Sequence, residues 1–492
     1  MLLFDVIWRL TDLHVMYSDA GLMPADQMRR LYANSWRWSL HWWDGSIQFQ
    51  LALFALSAVL AAALTAGYHT RLATIGCWIM WASLHTRAPF VINAGDSLIR
   101  TLVLWSMFLP LGQVWSIDAW RRGRSAAQRP QRIASVGTFA ILLQVCLVYW
   151  LTAIYKLLTH NWRTGGGLQN ALDWGGYNKP LGILLTDHPT LSQILSYGTI
   201  AIELIGPVVV LLAWRRPLLR IMGIATFVAF HAGIELCMYV GLFSYVSIAA
   251  WLLFVPAAFW DRVFSGSKRG ATEASDRQRT VARSRAAVWL NRTSGTLCFA
   301  LLFVMVSYNV LGLAVTIRTK TDRQMTHDQR MRKIPRPLRQ VAQVTLLGQY
   351  WSMFARPLTT SSWFIAKARL HSGDTVDLLR DGRPFNFERP QRLALLYPNH
   401  RWRKFVLALT HKIDHRKAFS QNLCDYLFQE WNGRHERAEQ IAVLELMCIY
   451  ERVGGNDENE HFVSKVYART ENEDDAIEDT IDFAVPFELQ EN

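Results

Sequence analysis

The stretch FHAGIELCMYVGLFSYVSIAAWLLFVP, residues 230–256, decides the fold class. It is almost wholly apolar. A helix needs about 20 such residues to cross a hydrocarbon layer. The run also carries His231 and Glu235, one helical turn apart, and is interrupted by GLFSY at 241–245. A span, a tight turn and a second span account for this pattern. His231 and Glu235 share one helix face, so a mutual hydrogen bond that holds the helix is the simpler reading. The sharper one is a functional site, because ionisable groups inside a membrane are costly.

The rest of the chain fits a membrane setting. Of its 492 residues, 51% are hydrophobic and 18% charged, against about 25% charged in soluble domains. Trp occurs 21 times, as interfacial belts favour. The mean hydropathy of +0.09 averages two unlike regions, an apolar one over 1–317 and a polar one from 318 onward. Apolar runs over 47–66, 72–90, 98–115, 136–158, 191–214, 218–240, 243–260 and 296–317 predict eight spans. Residues 1–17 read either as the second half of a ninth, which implies a late start, or as a short interfacial helix. Asp5 and Arg9 interrupt that segment, and no signal-peptide cleavage site follows it.

The net charge of +13 is a topology signal, and no nucleic acid is expected as a partner. Arg121, Arg122, Arg124, Arg129 and Arg132 crowd one loop, and Arg215, Arg216 and Arg220 a second. The linker 261–294 carries eight basic residues. The intervening loops 18–45, 85–96 and 159–190 are balanced in charge. Basic loops stay in the cytoplasm, which sends the balanced loops and the whole C-terminal region to the opposite face. The linker is also rich in Ser, Ala and Thr, a flexible or helical connector.

In the polar region, two partly alternating runs flank Ser372-Gly373-Asp374, a hairpin signal. Residues 401–431 have helical spacing, and IAVLELMCIYERV (441–453) and HFVSKVYART (461–470) read as strands. Residues 318–470 are therefore expected to form an α+β domain, followed by an acidic, disordered tail over 471–492. No metal, phosphate or nucleophile motif stands out there. Cys424 and Cys448 pair if this region meets an oxidising compartment. The other four cysteines lie in apolar spans and read as inert thiols.

Further polar groups fall in or beside spans. Glu203 sits mid-span, as a paired carboxylate or a proton carrier. Asp96 and Arg100, four apart, suggest a salt bridge at a span's outer start. Lys156 closes a span, either snorkelling to the surface or acting as a desolvated base.

Five ordered stretches resemble the HTTM (horizontally transferred transmembrane) domain family: RLTDLHVMYSDAGLMP (9–24), NAGDSLIRTLVLWSMFLPLGQVWSID (93–118), AIYKLLTHNWRTG (153–165), IELIGPVVVLLAWRRPLLR (202–220) and the opening stretch through Phe254. The best-known member of that family is the vitamin K-dependent gamma-glutamyl carboxylase. WSMFARP (351–357) and Trp402-Arg403-Lys404-Phe405 are similar to bacterial members.

The resemblance implies a multi-pass cell-membrane protein with an extracytoplasmic C-terminal domain. It also implies a membrane cavity bordered by the turn at 241–245, a reduced quinone of the vitamin K kind as cofactor, and membrane lipid, a quinone or a secreted peptide as partners. In the carboxylase, a lysine helps deprotonate the reduced quinone, and the oxygenated product removes a proton from glutamate so that carbon dioxide adds. The lysine block places Lys156 on the first of two lysines and Leu157 on the base. Trp162 and Gly165 match the Trp-x-x-Gly that follows. Gly95 falls where the carboxylase has a functional histidine.

The candidate catalytic residues are thus Lys156, His231 and Glu203, with Asp96, Arg100, Glu235, Tyr245 and Trp162 as cavity or structural polar groups. Three functions follow: modification of a secreted peptide or quinone-like lipid at an outer-facing cavity, a carboxylase with an altered base (a lyase), or a non-enzymatic accessory protein for maturation of, or resistance to, a secreted peptide.

Overall fold

The computed structural model describes residues 1–113, 115–122, 135–264, 285–319, 327–356, 360–410, 416–453 and 461–470. Helices dominate, and a small antiparallel sheet follows them.

Among the described residues, five helices are long and apolar enough to cross a membrane. In chain order with the shorter ones that matter to the site, the helices are α1 (Leu2–Leu10), α2 (Ile47–Ala66), α3 (Thr70–Arg87), α4 (Ala94–Ser106), α5 (Val136–Leu157), α6 (Pro189–Leu212), α7 (Pro217–Cys237), α8 (Phe243–Trp251) and α9 (Arg285–Arg318). Those of spanning length and hydropathy are α2, α5, α6, α7 and α9.

Expected spans over 72–90, 98–115 and 243–260 are not of that class. α3 carries Arg71, His85 and Arg87 and is buried over its last turns. α4 has 13 residues, about 20 Å at 1.5 Å per residue, and Pro110 follows its end. α8 passes into a 3₁₀ turn over Leu252–Phe254, and Pro256 then blocks continuation. The segment 1–17 splits into two short helices, Leu2–Leu10 and Leu13–Tyr17.

Local chemistry sets several helix starts. Ser46 and Ser135 cap α2 and α5 by accepting backbone N–H bonds from Phe49 and Thr138. Asn93 and Asp96 form a reciprocal capping box at α4. Gly67 ends α2 in the left-handed conformation, φ 68°.

Of the most apolar stretch of α5, 61% is buried, against 22% for α2, α6 and α7. The first is therefore the central helix, and the others turn broad apolar faces outward. Leu51, Leu56 and Val59 on α2, Ile205 and Val208 on α6, and Leu218 and Met222 on α7 are exposed, which fits contact with lipid.

Beyond two short helices, His327–Met331 and Arg336–Val344, the sheet region consists of α10 (His400–Ala408), α11 (Arg416–Asn432), β1 (Thr360–Leu370), β2 (Thr375–Asp377), β3 (Arg383–Pro384), β4 (Ile441–Arg452) and β5 (His461–Thr470). The sheet runs β3-β2-β1-β4-β5, every pair antiparallel. The expected hairpin is β1–β2, and the two expected later strands are β4 and β5.

The central strands are covered on both faces. Phe364, Ala366 and Ala368 pack with Phe405, Phe419 and Leu423 into a core continuous with the helical bundle. Trp363 and Ile365 face Leu393 and Met447. Cys424 and Cys448 are buried thiols, not a disulfide. The tail over 471–492 and the linker between 265 and 284 lie outside the described residues.

Candidate functional site

The last turn of α5 places Lys156 inside the bundle. Its ammonium donates to Glu203 Oε1 on α6 at 2.6 Å, and each side chain is only 6% exposed. Trp162 lies under the same ammonium, 4.5 Å from Nζ to ring centroid. That indole is fixed at its far edge, where Nε1 donates to the Phe354 carbonyl at 2.6 Å. Gly167 makes room for it, since a Cβ there would stand 2.1 Å from the Trp162 ring.

Two turns back on α5, Tyr149 OH is 2.6 Å from His231 Nε2 on α7 and accepts the Trp251 indole N–H at 2.8 Å. Trp251 stacks on Phe227 with centroids 3.7 Å apart. The central helix thus gathers Lys156, Glu203, Trp162 and the Tyr149–His231–Trp251 cluster from five segments of chain. Two polar atoms in this group, Glu203 Oε2 and His231 Nδ1, are buried without a partner among the described residues. Buried polar atoms are normally satisfied, so these two are open valences inside the bundle.

The expected i, i+4 pairs are not made. Glu235 takes the Lys179 ammonium at 2.6 Å, while His231 turns to Tyr149. Asp96 takes Arg9 at 2.6 Å, and Arg100 bonds His85 Nδ1 at 2.8 Å and the Leu346 carbonyl at 3.2 Å. In each case the helix face meets another segment of chain, whose partner is better placed than the neighbour one turn away. Lys156 does not snorkel. Tyr245 is exposed and takes no part in the cluster.

Gly95 is closed to a larger residue, because a Cβ there would lie 2.8 Å from the backbone nitrogen of Phe243. A histidine at that position has no space.

A second charged group escaped the sequence reading. Arg9 donates to Asp5 at 2.7 Å, Tyr17 at 2.9 Å and Asp96 at 2.6 Å. Arg401 from α10 bonds Asp12 at 3.0 Å and lies 3.5 Å from Asp5. Asn399 also donates to Asp12. Both guanidinium groups are fully buried. The spacing Asp5, Arg9, Asp12 inside an apolar run was the available signal, legible as a buried half of a network.

Residues 37–260 match the family model described as the HTTM domain. This chain carries an HTTM domain. Lys156, Glu203, Trp162, Tyr149, His231 and Trp251 all lie within the matched residues. Asp5, Asp12 and Arg401 lie outside them, so the second network ties the HTTM domain, through Asp96, to segments on either side of it. No curated protein and no solved structure matches the chain.

Proposed function

We propose that the protein acts on an apolar substrate, a quinone-like lipid or a secreted peptide, at the Lys156–Glu203 centre of its HTTM domain. The observation that carries this reading is the 2.6 Å ammonium–carboxylate contact on two spanning helices, with Glu203 Oε2 and His231 Nδ1 left open beside it.

The chemistry follows from the setting. In low-dielectric surroundings an ion pair loses most of its advantage over the neutral amine–acid pair. With the proton on Glu203, the Lys156 amine is free to act as a base. Trp162 holds the ammonium form in place between turnovers. Tyr149 fixes the His231 ring, so that Nδ1 stays open to the substrate.

A reduced quinone suits these residues. Its hydroxyls match the open acceptor on Glu203 and the open ring nitrogen on His231. Such a group, when bound, would supply electrons and an acidic hydroxyl. The chain's own part is to receive a proton at Lys156 Nζ, beside the already protonated Glu203, and to exclude water. The distribution of basic loops supports a centre that opens away from the cytoplasm, with the sheet region on that outer side.

The test is lipid extraction of the purified protein, compared with Lys156→Met, Glu203→Gln and His231→Ala. An apolar quinone carried by the parent protein and lost from all three variants supports the reading. A protein that carries no quinone, and whose cellular role survives all three substitutions, sinks it in favour of the accessory role. That role draws its support from the completed structural pairs Lys179–Glu235 and Arg9–Asp96.

A further inference from the structure

A concavity of about 540 Å³ lies away from the Lys156 centre, lined by Arg29, Arg37, Trp38, Ser39, Trp42 and Trp43. We propose that it binds the anionic headgroup of a membrane phospholipid.

Its position is the first argument. Trp43 precedes the first residue of spanning helix α2, Ile47, by four positions. The concavity therefore sits at headgroup depth, where indoles accumulate. Trp36 and Trp43 are both exposed there, Trp43 by 77%.

Its chemistry is the second. Arg37 is held ready: its guanidinium lies 4.7 Å above the Tyr32 ring and donates to Tyr32 OH at 3.0 Å. Tyr32 in turn stacks on Trp42. A guanidinium has five N–H donors in a fork that fits a phosphate, and one is spent on Tyr32. The Trp42 indole N–H is buried with no acceptor among the described residues.

Charge is the third. The buried guanidinium groups of Arg87 and Arg100 lie within electrostatic reach of Arg29 and Arg37 respectively. The nearby carboxylates are engaged. Asp26 pairs with Arg29 at 3.1 Å, Asp19 lies 3.6 Å from Arg87, and Asp44 accepts the Ser46 backbone N–H. The concavity sets two exposed guanidinium groups beside three indoles, complementary to a phosphodiester above a glycerol.

The experiment places the full-length protein in nanodiscs of equal parts phosphatidylglycerol and phosphatidylcholine. Lipids retained on release are counted by native mass spectrometry. The protein is expected to keep phosphatidylglycerol in preference. The double variant Arg29→Gln/Arg37→Gln is expected to keep roughly tenfold less of it, the effect of losing charge-assisted hydrogen bonds, with the phosphatidylcholine count unchanged. Both arginines are exposed, so the unfolding midpoint serves as the control for intact folding. Equal retention of the two lipids by the parent protein overturns the proposal, as does undiminished phosphatidylglycerol on the double variant. Loss of the lipid to millimolar inorganic phosphate also overturns it and assigns the concavity to the free anion.

Discussion

Lys156 and Leu157 are consecutive residues on one helix that face opposite ways: the lysine is 4% exposed and pairs inside the bundle, and the leucine is 36% exposed. The family resemblance puts the base at Leu157, but geometry puts the amine at the centre one residue earlier. Leu157→Lys is therefore expected to leave stability and quinone content unchanged. Lys156→Met is expected to abolish retention, and Lys156→Met/Leu157→Lys to remain empty. Lipid content by mass spectrometry reads all three. Restored binding in the double variant would show that helix α5 can rotate to present position 157.

The Lys156–Glu203 pair also tests whether burial or pairing governs the bundle. Removing one partner leaves an uncompensated buried charge, worth about 3–5 kcal/mol. Glu203→Gln should lower the unfolding midpoint in detergent by that order. Lys156→Met/Glu203→Leu should recover most of the loss, because both charges go together. Equal destabilisation by the single and double variants would mean that shape, not charge, is what the site needs.

Gly95 should resist enlargement. With Phe243 backbone atoms at 2.8 and 2.9 Å from the site of a Cβ, α4 and α8 must separate to admit even a methyl group. Gly95→Ala is expected to cost about 1–3 kcal/mol, and Gly95→His more. A stable Gly95→His with a normal melting curve would show that the α4–α8 contact is soft.

Two groups outside the spans predict opposite responses to pH. Burial, with Arg401 and Arg9 nearby, pushes His400 down to about 3. As pH falls from about 6.5 toward 3, the unfolded chain takes up a proton that the folded protein refuses, so stability is lost. Burial pushes Asp377 up to about 6, against its backbone bonds from Ala366 and Leu379. Here the folded form keeps its proton, and stability is lost as pH rises from about 4 to 6. The two slopes, each at most about 1.4 kcal/mol per pH unit, offset one another over the shared window. Melting curves from pH 4 to 7.5 should show His400→Gln falling in stability with rising pH and Asp377→Asn gaining. Parallel curves for both variants would refute the assignment.

What was legible in the sequence divides along physical lines. The runs at 47–66, 136–158, 191–214, 218–240 and 296–317 all yielded helices of spanning length, because unbroken apolar sequence of that extent has few other solutions. The expected crossings over 72–90, 98–115 and 243–260 gave shorter or less apolar helices, with Pro110 and Pro256 marking where two of them stop. The β1–β2 turn and the later strands followed from alternation and a Ser-Gly-Asp signal. At the site, residue types were legible and partners were not. Glu203 reads as a carboxylate in need of a cation, but Lys156 is 47 positions away, and only the packing of α5 on α6 joins them. Local spacing misled for the same reason at His231–Glu235 and Asp96–Arg100.

The network of Arg9 and Arg401 has a consequence for how the protein is made. Asp12 and Arg401 are 389 positions apart, and a ribosome adds about 5–20 residues per second. Asp5 and Asp12 thus wait roughly 20–80 s for the Arg401 guanidinium. Until Arg401 arrives, Asp5 has the Arg9 guanidinium alone and Asp12 has neither Arg401 nor Asn399. The helix Leu2–Leu10 is thus made long before the residue that completes its charge network, and any membrane insertase that handles it must shelter buried carboxylates through that interval.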